Sequence, residues 1–134
     1  TRYASLLSQF PTDIVCLGNG ENGHIAFNDP DVANFNDHKL VKIVKLDHVC
    51  RQQQVNEKCF ETLEQVPTEA LTLTIPALLK AKWMFCIVPF KNKSQAVYRT
   101  IHGDISEKCP ASILRRKEKS SLYLDTESAQ LLNL

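Results

Sequence analysis

Hydrophobic residues along the chain alternate between the spacing of a helix and the spacing of a strand. Residues 1–10 carry apolar side chains three and four positions apart, which predicts a short helix that ends before Pro11. The apolar run 13–17 predicts a short buried strand, and the alternating positions of 39–46 predict a half-exposed strand. Helix and strand therefore follow one another from the start of the chain.

The middle of the chain is more polar but continues this alternation. Asp47 can accept hydrogen bonds from the first free amides of a helix that runs through Phe60. Residues 70–75 then predict a strand, and 76–81 predict a short helix with proline in its first turn. Before these elements, the Asn-rich and Asp-rich residues 30–37 predict an irregular surface loop.

The last third of the chain begins with a long apolar run. Residues 83–88 include no polar side chain, which is typical of a strand covered on both faces. We therefore expect its large side chains Trp83, Met84 and Phe85 to lie in the core. A helix that stops at Gly103 follows this strand.

The tail predicts a short helix at 111–116, a strand at 121–124 and a last helix at 126–132. Because strands and helices alternate, the predicted fold class is α/β, with an open and mainly parallel sheet flanked by helices. Right-handed crossovers bring the carboxyl ends of parallel strands to one edge of a sheet, where such folds bind ligands. The loops after Leu17 and Val88 should therefore meet at one pocket.

Composition narrows the class of protein. With 134 residues, of which 43% are hydrophobic, the chain can bury one core and is too short for two domains. Its net charge of +1, with basic and acidic residues interspersed, gives no reason to propose nucleic acid or an anionic membrane as a partner. We expect no signal peptide, and no apolar run approaches the roughly 20 residues of a membrane span. Five cysteines without a Cys-x-x-Cys motif favour the reducing cytoplasm.

The stretch after the first strand contains three of the four glycines and the best candidates for chemistry. Gly18 and Gly20 can let backbone amides approach a ligand, because glycine has no side chain in the way. His24 and Asp29 are an imidazole and a carboxylate five residues apart, a pairing that suits general acid/base catalysis. Lys93 stands at a predicted helix start, where an ammonium and free amides can bind phosphate. We expect the imidazole and this ammonium to reach the same pocket.

A dinucleotide loop is one alternative for this stretch. Gly18, Gly20 and Gly23 meet the Gly-x-Gly-x-x-Gly spacing of such loops. However, Pro30 soon breaks any helix that follows, and a dinucleotide site needs a long one. This alternative is therefore disfavoured.

A metal site is another alternative. His48, Cys50 and Cys59 carry side chains that bind metals in other proteins. Their spacing fits no common zinc pattern. We therefore predict no metal site.

The sequence of 17–30, Leu-Gly-Asn-Gly-Glu-Asn-Gly-His-Ile-Ala-Phe-Asn-Asp-Pro, resembles the signature of the glucosamine-6-phosphate deaminase/isomerase family. That signature is usually Gly-x-Gly-x-Asp-Gly-His-Ile-Ala-Phe-Asn-Glu-Pro. The resemblance continues through 66–72, 83–88 and 91–93 and so covers nearly the whole chain. Family members are about twice as long, and their first half carries a phosphate loop and the base for enolisation. The chain thus resembles the C-terminal part of the sugar-phosphate isomerase fold. We expect it to form a single domain and to be inactive without the first half.

The resemblance assigns roles residue by residue within the signature. His24 matches the catalytic histidine that assists opening of the sugar ring, and Asp29 matches the carboxylate that orients it, in place of the usual Glu. Asn22 stands where many members have an Asp that joins this relay. An amide can hold a hydrogen bond there but cannot carry negative charge.

The resemblance also implies how a phosphorylated amino sugar is held. Lys93 matches the family's phosphate-binding lysine. The family's phosphate-binding arginine has no firm match, because Gln54 falls nearest to it across a length change and Arg51 lies close by.

The activity implied by the resemblance converts glucosamine 6-phosphate and water to fructose 6-phosphate and ammonia in amino-sugar catabolism, without a cofactor. A galactosamine-6-phosphate isomerase is an alternative, since Glu21-Asn22 also resembles that subgroup. A non-catalytic sugar-phosphate-binding module of a regulator is an alternative from another class, because Asn22 replaces the acid. A sugar-phosphate lactonase is disfavoured, because such lactonases lack the Ile-Ala-Phe-Asn-Asp/Glu-Pro motif.

A half-sheet would expose an apolar edge, so we also expect a homo-oligomer.

Overall fold

A parallel sheet of three strands forms the centre of the structure, a computed structural model that describes residues 1–133. In chain order, the helices and strands are α1 (Arg2–Gln9), β1 (Ile14–Leu17), β2 (Val41–Lys45), α2 (His48–Asn56), β3 (Glu69–Leu73), α3 (Ile75–Leu79), β4 (Trp83–Val88), α4 (Ser94–His102) and β5 (Ser120–Leu124). Strand β4 lies between β1 and β5 and runs parallel to both. Short 3-10 helices span Leu63–Gln65, Lys91–Lys93 and Pro110–Arg116.

The predicted α/β class with an open parallel sheet is confirmed. The β2 and β3 strands depart from the simple alternating scheme, because they pair with each other in antiparallel fashion outside the central sheet. Val44 and Thr72, on one face of this pair, are buried, whereas Ile43 and Leu71, on the other face, are 71% and 58% exposed. One face of the pair is therefore packed and the other faces solvent, as the alternating pattern of 39–46 predicts.

The core lies against one face of the central sheet. Met84, Cys86 and Val88 point to this face and are at most 1% exposed. They belong to one apolar cluster with buried residues of α3, α4 and the 3-10 helix Pro110–Arg116. Because helices cover it, this face supplies most of the apolar burial that stabilises the fold.

The other face of the central sheet is largely uncovered, which corrects two predictions. On β4, Trp83 is 41% and Ile87 48% exposed, and Phe85 is half-buried, so the strand is not covered on both faces. On β1, Ile14 is 55% exposed, so this strand is not buried either. Side chains alternate across a strand, so these residues point away from the face that the helices cover.

Two helix predictions are also wrong in extent or type. The helix α2 ends at Asn56 and not near Phe60, because Lys58 adopts a left-handed φ of +60° and its amide bonds the Val55 carbonyl. The predicted last helix, 126–132, is instead a series of turns.

The turn at the end of the chain has a local cause. The Ser128 amide donates to Asp125 Oδ1 at 2.7 Å, and the Asp125 amide donates to Ser128 Oγ at 3.1 Å. Such side chain to backbone bonds compete with the regular bonds of a helix. Among residues 1–133, no helix combines the length and the hydrophobicity that crossing a bilayer requires.

Candidate active site

A cavity of about 400 Å³ lies at the carboxyl ends of β1 and β4. The glycine loop after β1, the end of α2 and the loop after β4 contribute its walls. The residues that line this cavity include Gly18, Gly20, His24, Gln53, Glu57 and Lys93. The loops after Leu17 and Val88 therefore meet, as predicted from the sequence. They bring the His24 imidazole and the Lys93 ammonium to one cavity.

The His24 ring is held from one side by two oxygen acceptors. Its Nδ1 lies 2.7 Å from Asn22 Oδ1 and 3.1 Å from Asp29 Oδ1. Because an amide oxygen and a carboxylate oxygen both accept, Nδ1 carries the proton. Nε2 has no hydrogen-bond partner in the described part of the chain, so a neutral ring can accept a proton there from a ligand.

Asp29 is fully buried and is surrounded by donors. Its Oδ2 accepts from the Asp47 amide at 3.0 Å, and its Oδ1 accepts from Asn22 Nδ2 at 3.1 Å. Burial alone raises the pKa of Asp29, but the hydrogen bonds from His24, the Asp47 amide and Asn22 together hold this pKa below its ordinary value of 3.8. The carboxylate therefore stays ionised at neutral pH and orients the imidazole.

This lowered pKa predicts an acid-dependent loss of stability. The folded state binds the Asp29 proton less readily than the unfolded state, so its contribution is present above the ordinary pKa of 3.8 and is lost as the pH falls through the folded value. Denaturant unfolding at pH 7 and near pH 3 should show a steeper loss for the wild type than for Asp29→Asn. Asp31→Asn removes a charge at an exposed position and serves as the control. Equal losses in wild type and Asp29→Asn would contradict the prediction.

The glycines of the loop differ in the room around them. A Cβ at Gly20 would overlap the imidazole of His24. Gly23 has a φ of +92°, and a Cβ there would lie 2.7 Å from Cys109 Sγ. At Gly18 the nearest atom to an added Cβ is a backbone oxygen at 3.7 Å, an ordinary contact. The histidine ring thus packs in space that only glycine leaves free.

Two other residues of the cavity wall adopt left-handed backbone conformations. Ala26 has a φ of +51° and Phe90 a φ of +80°. This conformation costs an L-residue roughly 1–2 kcal/mol and persists where the surrounding structure imposes it. The amide of Phe90 donates to Asp125 Oδ2 at 2.9 Å, which fixes the loop after β4. Strain of this kind clusters at ligand sites.

The ammonium of Lys93 is buried and already has a partner. Its Nζ lies 3.0 Å from Glu57 Oε1, and the same oxygen accepts from Gln53 Nε2 at 2.8 Å. Gln53 Oε1 in turn accepts from the Glu21 amide at 3.1 Å, which joins the end of α2 to the glycine loop. A carboxylate therefore occupies the position where an anionic group of a ligand would bind the lysine.

The hydrophobic pattern gave no signal for Gln53 and Glu57. Gln53 lies on the buried side of α2 with Cys50, three residues before it, and Glu57 follows four residues later at the C-cap, where it is partly exposed. The sequence signal for this polar face is the absence of an apolar stripe on α2, because such a helix packs through polar side chains.

Neither candidate for the phosphate-binding arginine position lines this cavity. The Arg51 guanidinium donates to the carbonyls of Leu63 and Val66, at 2.7 and 3.1 Å. Gln54 lines a separate depression beside Phe60. The described residues therefore offer Lys93 as the buried cation of the cavity wall.

The thiol of Cys50 lies against the Asp29 carboxylate. Potential ligand atoms of His24, Asp29 and Cys50 lie within 4.8 Å of one another, which is close enough for a metal site. However, burial, together with the charges of Asp29 and Asp47, raises the pKa of the Cys50 thiol to about 12. This environment favours a protonated thiol that donates to the Asp29 carboxylate, whereas metals bind the thiolate. The prediction of no metal stays a prediction.

Comparison with known proteins relates the whole chain to one family. The sequence model described as glucosamine-6-phosphate isomerases/6-phosphogluconolactonase matches residues 1–123. The chain is 38% identical over 131 residues to the glucosamine-6-phosphate deaminase of Listeria monocytogenes serotype 4a (strain HCC23), which covers 98% of this chain and 54% of that protein. It is 39% identical over 130 residues to the deaminase of Bacillus cereus (strain B4264), covering 97% and 48%.

Solved structures agree with this relation. A monomeric glucosamine-6-phosphate deaminase superposes with a TM-score of 0.89 at 36% identity, covering 97% of this chain and 52% of that one. The 6-phosphogluconolactonase from Leishmania guyanensis gives a TM-score of 0.73 at 21% identity, covering 99% and 52%, and shares the fold. The chain spans about half the length of the curated relatives that it matches. On this evidence, the chain belongs to the glucosamine-6-phosphate isomerase/6-phosphogluconolactonase family.

Proposed function

We propose that the chain is the C-terminal half of an enzyme that converts glucosamine 6-phosphate and water to fructose 6-phosphate and ammonia. The observation that carries this proposal is that the oriented imidazole of His24 and the buried ammonium of Lys93 line one cavity. The sequence identity of 38% to a glucosamine-6-phosphate deaminase supports the choice of reaction. Substrate phosphate binds Lys93, and the sugar ring lies against His24.

In the proposed reaction, each site residue has a defined task. As the sugar ring opens, Nε2 of His24 accepts the proton of the anomeric hydroxyl and passes it to the ring oxygen as the C1–O bond breaks, while Asn22 and Asp29 keep the imidazole in position. A base from outside these residues removes the C2 proton, which gives an aminoenol with a C1–C2 double bond. Protonation at C1 converts the aminoenol to an imine at C2. Water then adds to C2, the C2–N bond breaks, and ammonia leaves with the C2 ketone of fructose 6-phosphate as the product. Binding energy from the remote phosphate at Lys93 orients the reacting carbons.

Turnover by the full-length protein tests this proposal. We expect ammonia and fructose 6-phosphate to appear in equal amounts from glucosamine 6-phosphate, and we expect no turnover by the 134 residues alone. Galactosamine 6-phosphate serves as the comparison substrate, since an isomerase specific for it is the alternative within this class. No turnover of either sugar by the full-length protein would contradict the proposal.

A non-catalytic sugar-phosphate-binding module is the second candidate function. Asn22 favours it, because an amide stands where the relay usually has a carboxylate. Saturable binding of glucosamine 6-phosphate by the full-length protein without any ammonia release would support this reading over the enzyme.

The pair of Lys93 and Glu57 predicts how substrate affinity responds to mutation. Phosphate must displace the Glu57 carboxylate, so Glu57→Gln is expected to lower KM about fivefold, since a partly exposed carboxylate contributes on the order of 1 kcal/mol. Lys93→Met is expected to raise KM at least about tenfold, because it removes the charge that phosphate binds. Steady-state kinetics of the full-length protein measure both effects. Glu61→Gln, at an exposed position, is the control, and an unchanged or higher KM for Glu57→Gln would contradict this site.

We also propose that the chain associates with itself through the uncovered face of the central sheet. Ile14, Trp83, Ile87 and Tyr123 are each 41–55% exposed, and contiguous apolar surface of this kind marks interaction sites. Light scattering at rising concentration should show dimers or larger species, and Ile87→Lys combined with Tyr123→Lys should shift the protein to monomer. The matched control is Ile43→Lys, on the antiparallel pair. A monodisperse monomer at high concentration would rule the proposal out.

A further inference from the structure

Asp47 lies beyond the signature stretch but contacts two of its residues. As the N-cap of α2, its Oδ1 accepts from the Cys50 amide at 2.6 Å. Its Oδ2 accepts from Asn22 Nδ2 at 2.7 Å, and its own amide donates to Asp29 Oδ2 at 3.0 Å. A single residue thus joins the start of α2 to both supports of the His24 ring.

The Asn22 amide faces different partners at its two ends. Its oxygen accepts from the His24 backbone amide at 2.9 Å and from ring Nδ1 at 2.7 Å. Its nitrogen donates to Asp47 Oδ2 at 2.7 Å and to Asp29 Oδ1 at 3.1 Å. A flipped amide would direct its hydrogens at the donors of His24 and its oxygen at two carboxylates. Asp47 therefore makes the shorter of the two bonds that fix the direction of this amide.

The charge of Asp47 also explains why an amide suits position 22. A carboxylate there would place three carboxylate groups together, with no hydrogen between the oxygens that now lie 2.7 and 3.1 Å from Asn22 Nδ2. Like charges at such distances disfavour the ionised forms. With Asn22 in place, the Nδ2 hydrogens bridge Asp29 and Asp47, and both carboxylates keep a hydrogen-bond donor.

We propose that Asp47 is a positioning residue for this site: through the Asn22 amide, it holds the His24 ring with Nδ1 protonated and Nε2 available to the substrate. Asn22 and Asp47 together perform the task that a single carboxylate at position 22 performs in the signature. The inference rests on the proposed function of His24, although its structural part concerns only the state of the ring.

Nitrogen NMR of the His24 ring tests the structural part without any turnover. In its neutral form, the wild-type ring is expected to show protonated Nδ1 and unprotonated Nε2. Asp47→Asn keeps the helix cap but directs an NH₂ group at Asn22 Nδ2, so the Asn22 amide should turn and the ring should shift toward protonated Nε2. The double variant Asn22→Asp with Asp47→Asn restores a donor and acceptor pair, and the wild-type tautomer should return.

Kinetics of the full-length protein provide the second readout. Asp47→Asn is expected to lower kcat at least about tenfold, because the wrong tautomer of a histidine base is strongly impaired, and to leave KM within about twofold. The double variant should recover most of this loss. If Asp47→Asn fails to fold, Asp47→Ser keeps a cap without the second oxygen and should shift the ring in the same direction by a smaller amount.

The outcomes separate this inference from the proposed function. An unchanged ring tautomer in Asp47→Asn, or in Asp47→Ser if that variant replaces it, would overturn the positioning role, whatever the activity. Failure of the double variant to restore the wild-type tautomer would overturn it as well. A tautomer shift in a protein that binds glucosamine 6-phosphate without turnover would support Asp47 as a positioning residue and contradict only the proposed enzyme.

Discussion

Replacing His24 by alanine in the full-length protein is expected to lower kcat for glucosamine 6-phosphate by about a hundredfold to ten-thousandfold, the range of general acid/base catalysis. The reason is geometric. Its Nδ1 is held by Asn22 and Asp29, so Nε2 is the ring nitrogen that remains for a proton transfer at the cavity. Because phosphate binding depends on Lys93, we expect KM to change much less than kcat. Release of ammonia under saturating substrate measures the effect.

His102→Ala is the matched control for this prediction. His102 is exposed on α4 and packs against Tyr98 in a tilted arrangement, with ring centroids 5.0 Å apart, and it does not line the cavity. We expect this variant to keep kcat within about twofold, as surface substitutions usually do. If His24→Ala also kept its activity, the imidazole would have no part in the reaction.

Gly20→Ala is expected to damage both the fold and the activity. An added Cβ overlaps the His24 imidazole, so the ring or the loop must move. Overpacking of this kind typically costs about 1–3 kcal/mol of unfolding free energy. A catalytic group displaced by about 1 Å can lose on the order of a hundredfold in rate. Denaturant unfolding and kcat of the full-length protein measure the two losses.

Gly18→Ala separates this effect from a general intolerance of the loop. Its added Cβ meets only ordinary contact distances, so we expect wild-type stability within about 0.5 kcal/mol. Since Gly18 lines the cavity and was predicted to bind substrate, a moderate rise in KM is compatible with this control. If Gly20→Ala behaved like Gly18→Ala in both measurements, the packing of the imidazole on the glycine loop would be wrong.

Local sequence patterns predicted the parts of the fold that depend on local interactions. The helix at the start of the chain ends before Pro11, α2 begins at the cap of Asp47, and α4 ends at Gly103. Each boundary is set by a residue whose backbone or side chain acts on its immediate neighbours. The meeting of the loops after Leu17 and Val88 followed from the parallel pairing of β1 and β4.

Coverage of the central sheet could not be predicted from β4 alone. Its run of apolar residues is the same whether one face or both faces are covered, because coverage depends on which other elements pack there. Met84 and Cys86 are buried by helices, whereas Trp83 and Ile87 remain 41% and 48% exposed. A hydrophobic run identifies a strand that can be buried, but it does not show which other elements pack on each face of that strand.

The long-range polar contacts of the site could not be predicted from the hydrophobic pattern of the sequence. Asp47 was predicted as a helix cap, but its second carboxylate oxygen bonds Asn22 across 25 positions of sequence. Glu57 meets Lys93 across 36 positions, from a helix end that lacks an apolar stripe. Periodicity reports which side of an element is apolar, so it has no signal for a polar face that packs on a site.

A crystal structure of the full-length protein with bound glucosamine 6-phosphate tests the central claim most directly. The claim is that His24 and Lys93 belong to a single sugar-phosphate site. It predicts a phosphate oxygen within about 3 Å of Lys93 Nζ in place of Glu57, with a sugar hydroxyl at hydrogen-bond distance from His24 Nε2. A sugar phosphate bound elsewhere, with the pair of Lys93 and Glu57 intact, would contradict the account.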